Sequence, residues 1–372
     1  MFQPLELIQE YEKLNPGEAQ LSSIREAIRQ ADLAKDYSYM LYFRCEYANA
    51  CRSDDTSNLL LYIYLIFPEI LKIFEEHPDI KMPDCHYSGT IDTVQDIFSV
   101  MISCADFFYQ IPISDMEKYL EKYKNFCQQY GYSLFDYYIS SARLYRQTND
   151  KERAMQCLKD FKTLCRTTHC RDAFSLDFIG EMACWYDDLD TLLKVTKMLE
   201  RKNHKQDQLV YEYGRLLYCY AVRRQDFEQA APYYNLLKKL CKKFKMHSPY
   251  FADTMVYLTA TDQNAAWNFF LKEAPFQAIT TIPLDKMEFS IGAEIMMRSL
   301  KKSGKETVRF SLPGAHPWQR EDECYQTETL AEYFRQQARE ISFKFDARNG
   351  NNHCIQEYEL FLAAANTVSA NT

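Results

Sequence analysis

Seven histidines and thirteen cysteines are the most reactive groups in this chain of 372 residues. Three His–Cys neighbours, Cys85-His86, His169-Cys170 and His353-Cys354, supply the two ligand types zinc prefers, and Cys165 with His169 stands at the i,i+4 spacing of one helix face. No paired CxxC accompanies them, and in a chain this rich in cysteine such adjacency arises by chance, so no metal is expected. Asp346 to Asn352 followed by Glu357 has the outline of a calcium loop, yet the glycine comes one place early and Arg348 fills a ligand position. Asn349-Gly350 suits a helix C-cap better. His316 beside Trp318 and Arg320 is the one group that resembles an active site. GxSxG, HExxH, a Walker loop and dinucleotide glycines are all missing, so neither a catalytic residue nor a cofactor is expected. Lys238, Lys239, Lys242, Lys243 and Lys245 fall on one side of a helix with Tyr233, Leu237, Leu240 and Phe244 opposite. That pattern is the solvated face of an amphipathic helix or a dock for an acidic partner.

Helices must position these groups. Glycine (9) and proline (12) together stay near half of ordinary usage, about 12%, too few for glycine-rich nucleotide folds, sandwiches or barrels. With 47% hydrophobic and 26% charged residues the chain should fold throughout. A net charge of −8 disfavours nucleic acid as a partner. The longest apolar run, Leu59 to Phe67, is less than half of a membrane span of about 20 residues. The opening segment has no basic, apolar leader, and unpaired cysteines in apolar helical stretches suit a reducing cytosol. A cytoplasmic location is therefore expected, with no membrane partner.

Helical periodicity runs from residue 4 to 273, broken every fifteen to twenty residues by short polar turns. It predicts helices near 4–13, 18–34, 37–52, 56–76, 91–110, 114–130, 133–148, 151–166, 171–186, 189–202, 206–223, 227–245, 248–260 and 263–273, then 285–302, 323–345 and 353–367. A loop holding two prolines and two glycines is expected at 303–322. The turns Asn149-Asp150, Asp187-Asp188, Gln225-Asp226 and Thr261-Asp262 align, their second aspartates stepping by 38, 38 and 36. Nine residues before each following alanine or leucine anchor stand Tyr145, Ala183, Ala221 and Tyr257; twelve before stand Ala142, Gly180, Tyr218 and Thr254. Four after come Leu158, Thr196, Tyr234 and Phe270. A small residue on one helix, a capping Asp and an apolar anchor on the next describe an αα-hairpin repeated along the chain.

These positions resemble the tetratricopeptide repeat, best over Tyr145–Leu158 and Leu217–Tyr234; the family's Trp is absent and the period exceeds its usual 34. The resemblance implies an all-α, right-handed superhelix of about seven hairpins over 1–280, clearest at 133–273, with a helical cap over 281–372. It further implies a concave groove lined by Asp136, Arg143, Arg146, Phe174, Asp177, Glu181, Trp185, Glu212, Arg215, Arg223, Phe251 and Met255, suited to a protein or short peptide. The paired asparagines and lysines with which part of the family clamps a C-terminal carboxylate are not reproduced. A weaker resemblance is to cytoplasmic receptors for signalling peptides in Gram-positive bacteria, without their N-terminal helix-turn-helix. The competing readings are an enzyme whose site adjoins the 303–320 loop and a structural subunit of a larger complex.

Overall fold

A computed structural model describes residues 2–53, 60–83, 89–168, 172–201, 207–312 and 319–367. The chain groups into two units, Met1–Leu144 and Tyr145–Thr372. The first consists of α1 (Pro4–Glu12), α2 (Glu18–Ala34), α3 (Tyr37–Ser53), α4 (Leu60–Glu76), α5 (Thr90–Cys104) with a 3-10 turn after it, α6 (Ile113–Tyr130) and most of α7 (Phe135–Gln147). From α1 to α6 each helix packs against the next. α2 ends on Lys35 in the left-handed region, and the Asp36 carboxylate then accepts from Tyr39 N at 3.2 Å, capping α3. Phe43, Phe67, Phe98 and Tyr123 are buried in this unit, with the Phe67 and Phe98 rings 4.4 Å apart. Arg44, itself buried, is neutralised by Asp32 at 2.9 Å and Glu69 at 2.8 Å.

The second unit continues with α8 (Lys151–Thr167), α9 (Ala173–Trp185), α10 (Leu189–Glu200), α11 (Gln208–Leu217), α12 (Phe227–Phe244), α13 (Phe251–Thr261) and α14 (Gln263–Gln277). The repeated turn has one construction. Asn149, Asp187 and Gln225 adopt φ of 59°, 58° and 54°. The following Asp150, Asp188 and Asp226 then accept from the backbone N of Arg153, Thr191 and Gln229 at 3.0–3.1 Å. Asp262 caps α14 through Ala265 N at 2.9 Å. A carboxylate at each helix N-terminus satisfies an orphan N–H and meets the positive end of the helix dipole.

One hairpin departs from the rest. α11 runs into a π-helical turn, Tyr218–Arg223, which holds one residue more than an α-helix would. The backbone N of Asp150 and Asp188 bonds five residues back, to Tyr145 and Ala183, whereas that of Asp226 bonds six back, to Tyr220. By hydrogen bonding the equivalent of Tyr145 is therefore Tyr220, not the Ala221 that residue counting gives.

Beyond the repeats, α15 (Pro283–Lys302) packs on α13, α14 and α16 (Thr327–Asn349), and α17 (His353–Thr367) lies against the π-turn, α13, α15 and α16. Thus the terminal helices cover one side of the hairpins. Residues 251–258 of α13 are buried without exception, and all of them but Asp253 and Thr254 are apolar. Gly350, at φ 68°, ends α16, and the Asp346 carboxylate caps α17 through Cys354 N and Ile355 N at 2.8 and 3.0 Å. The C-cap expected at Asn349-Gly350, in preference to a calcium loop, is this one. The stretch read as a loop at 303–322 holds β1 (Thr307–Arg309), which pairs antiparallel with β2 (Cys324–Gln326) in register Val308 to Tyr325; β2 stands where the helix was expected to begin, and α16 starts at Thr327 instead. Val308 and Tyr325 are its buried pair, and Phe310 beyond them sets its ring edge-on to Phe270 at 5.4 Å.

Candidate functional site

The charges assigned to the groove are joined to one another along the first helices of successive hairpins. Arg146 Nη1 donates to Glu181 Oε1 at 3.1 Å, a partner 35 residues on, and its guanidinium lies 4.8 Å from the Trp185 ring centre. Arg215 Nη1 donates to Asp177 Oδ1 at 2.6 Å, 38 residues back, to the Asp177 carbonyl at 3.2 Å and to Glu212 Oε1 at 2.5 Å. Arg223 Nη1 reaches the Cys184 carbonyl at 2.6 Å, 39 residues back. Each separation is close to the repeat period, so these bonds tie one hairpin to the next.

Close helix packing makes the arrangement possible. At Gly180 an added Cβ would run into the Glu212 carboxylate, and at Gly214 into the Tyr250 ring. Glu212 is fully buried and shares one guanidinium with Asp177. Burial pushes its carboxyl up to about 8, against the pull of Arg215. Its Oε2 has no hydrogen-bond partner among the described residues. Asp253 on α13 is likewise buried, and burial raises it to about 7. The Cys184 and Cys219 sulfurs stand 3.7 Å apart beneath the Arg215 backbone carbonyl, to which Cys184 also donates.

Several assigned groove residues lie in the interior. Phe251 and Met255 are 2% and 0% exposed; Phe251 sits among Phe269, Phe270 and Phe289. The physical reason is α15, whose Gly292 comes so close that an added Cβ would meet the Phe251 ring. Glu212 faces no solvent either. In the first unit, Asp136 accepts from Ser99 Oγ at 2.8 Å and Tyr123 OH at 3.2 Å. Arg143 lines a small void of about 10 Å³ with Tyr64 and Ser140, room for one water at most.

The terminal helix meets Trp185 directly and Arg223 through Tyr218. His353 sets its ring edge-on to Trp185 at 4.4 Å, and burial lowers its affinity for a proton. Tyr218 OH donates to Glu357 Oε2 at 2.6 Å and accepts from Arg223 Nε at 3.1 Å. Tyr358 OH donates to the buried Glu294 on α15 at 2.8 Å. What stays open on α9 and α11 is aromatic: Phe174 is 62% exposed and Tyr211 40%. They stand 37 residues apart on neighbouring helices, one repeat from each other. Sequence reading found Phe174 and passed over Tyr211; continuing the same period one unit onward would have found it.

Cys85-His86, His169-Cys170, His316 and Trp318 lie outside the described residues. Arg320 is exposed and paired with Asp322 at 3.1 Å. Among the described residues no three His, Cys, Asp or Glu side chains are grouped to hold a metal ion, and no helix is long and apolar enough to cross a membrane. No family model matches the chain, and neither does any curated protein. The structure itself defines an all-helical, repeat-like chain in which neighbouring helices pack in sequence, with one short ribbon among the described residues.

Proposed function

We propose that the hairpins of the second unit are of tetratricopeptide type and that the chain is a cytoplasmic scaffold or regulator binding a protein or short peptide, with no catalytic step. The observation that carries this reading is the pair of exposed aromatics, Phe174 and Tyr211, repeated at one hairpin's distance on helices whose other inner-face residues are closed by ion pairs. Aromatics repeated in this way are suited to an apolar residue of an extended or helical ligand, and buried aromatic anchors dominate binding energy at such surfaces. Asp177, partly exposed beside them, supplies an acceptor for a ligand N–H. The test is selection from a random displayed peptide library on the intact chain, with affinities then measured for wild type and Phe174→Ala/Tyr211→Ala. Enriched peptides should bind the double variant about tenfold or more weakly. Equal binding by a well-folded double variant, or no enrichment on wild type, would overturn the reading.

A further inference from the structure

Away from the inner faces, between α12 and α14, lies a cavity of about 620 Å³. Its walls are Leu237 and Cys241 from α12, Phe269 from α14 and Met246 from the joining segment. Lys238, Lys242 and Lys245 form its rim, exposed to solvent, and none has an acidic partner within 4 Å among the described residues. One carboxylate, Glu273, also lines it, but Lys272 Nζ at 2.5 Å and His247 Nδ1 at 2.8 Å hold that group, with Ser248 N donating at 3.3 Å. At the inner end Thr254, on α13, is 1% exposed, and its Oγ1 has no hydrogen-bond partner among the described residues. A buried hydroxyl in an apolar setting costs free energy until a partner arrives.

We propose that this cavity binds a small anionic amphiphile, its carboxylate or phosphate at the three rim lysines, its apolar body along Leu237, Cys241 and Phe269, and a polar atom at the far end bonded to Thr254. Three observations agree on that chemistry. The volume falls within the range of small-molecule sites, about 300–1,000 Å³. The three uncompensated cations are a local reversal of the chain's net charge of −8, so an anion gains charge-assisted bonds there that a neutral molecule does not. The walls between rim and floor are mostly apolar, with Asn268 and Tyr234 the polar side chains among them.

Calorimetric titration of the full chain tests it with five probes: 12-hydroxydodecanoate, dodecanoate, dodecan-1-ol, an acidic peptide and vesicles containing phosphatidylglycerol. The hydroxy acid should saturate at one per chain. Dodecanol should bind about tenfold or more weakly, as should the hydroxy acid on Lys238→Ala/Lys242→Ala/Lys245→Ala. Dodecanoate should be about fivefold weaker than the hydroxy acid on wild type, and that difference should vanish on Thr254→Val. Ala265→Trp, which fills the cavity from a half-buried position on its wall, should remove binding while the circular dichroism stays that of wild type. The proposal is overturned if wild type binds neither acid, if acid and alcohol bind alike, if Ala265→Trp binds as wild type does, or if only vesicles bind. An acidic peptide that displaces the hydroxy acid without itself needing the open cavity of the Ala265 position would also overturn it, by assigning the lysines to a macromolecule.

Discussion

Two sets of charges in the second unit meet opposite fates. On the inner faces, Arg146, Glu181, Asp177 and Arg215 recur at separations of 35 and 38 residues, and the period that stacks the hairpins also brings each cation to its anion. At the end of α12, Lys238, Lys242 and the C-cap residue Lys245 carry one sign close together, so they repel one another and remain at the surface. The difference teaches how to read charge in a repeat. Opposite charges at the repeat period hold hairpins together, and like charges close together at a helix end are presented to something else.

The strongest way to break this comparison is to delete the inner cation. Arg215→Met leaves Asp177 and the buried Glu212 without it, and should lower stability by about 3–5 kcal/mol in urea denaturation. A loss below about 1 kcal/mol would mean that the inner charges are not what joins α9 to α11.

Next comes the pH response of the same cluster. The Glu212 carboxyl is raised from 4.5 to about 8 and Asp253 from 3.8 to about 7, so the folded chain retains protons that the unfolded chain releases. Stability should therefore fall as pH rises from the ordinary carboxyl range through about 8, the reverse of a salt-bridged carboxylate. Glu212→Gln, which carries no titrating proton, should flatten that decline when denaturation midpoints at about pH 5.5 and 8.5 are compared. An unchanged slope would show that Glu212 is ionised beside Arg215.

A smaller effect is expected at the turns. Asp188→Ala removes the acceptor for Thr191 N and should cost about 1 kcal/mol. Smallest is the outer set: Lys238→Ala/Lys242→Ala/Lys245→Ala should leave stability within about 0.5 kcal/mol of wild type. A larger loss would place these lysines among the structural charges and erase the contrast.

The hairpins were legible because their signals are local. Capping aspartates, left-handed turn residues and helical periodicity act within a few residues, and α2, for example, occupies the expected 18–34. What the sequence concealed depends on distant packing. Phe251 and Met255 carry the pattern of a groove wall, and only α15, more than 30 residues later, turns that wall into core. The π-turn is hidden for a different reason: the aspartates on either side of it still step by 38, so its additional residue is offset elsewhere in the hairpin and gives no sign in the period. The ribbon at 307–326 was missed because strands of three residues carry almost no alternation to read.

The placement of α17 sets an order in time. During synthesis the hairpins of the second unit emerge one after another, and in a simple array each could settle on the one before. Here α13 has no exposed side among residues 251–258, and Tyr218 and Glu294, besides local partners in Arg223 and Arg298, each bond a distant residue, Glu357 and Tyr358, 139 and 64 residues downstream. These bonds cannot close until α17 has been made. The cover over α13 is thus assembled from residues far apart in the chain, and it is complete only once residues 353–367 are present.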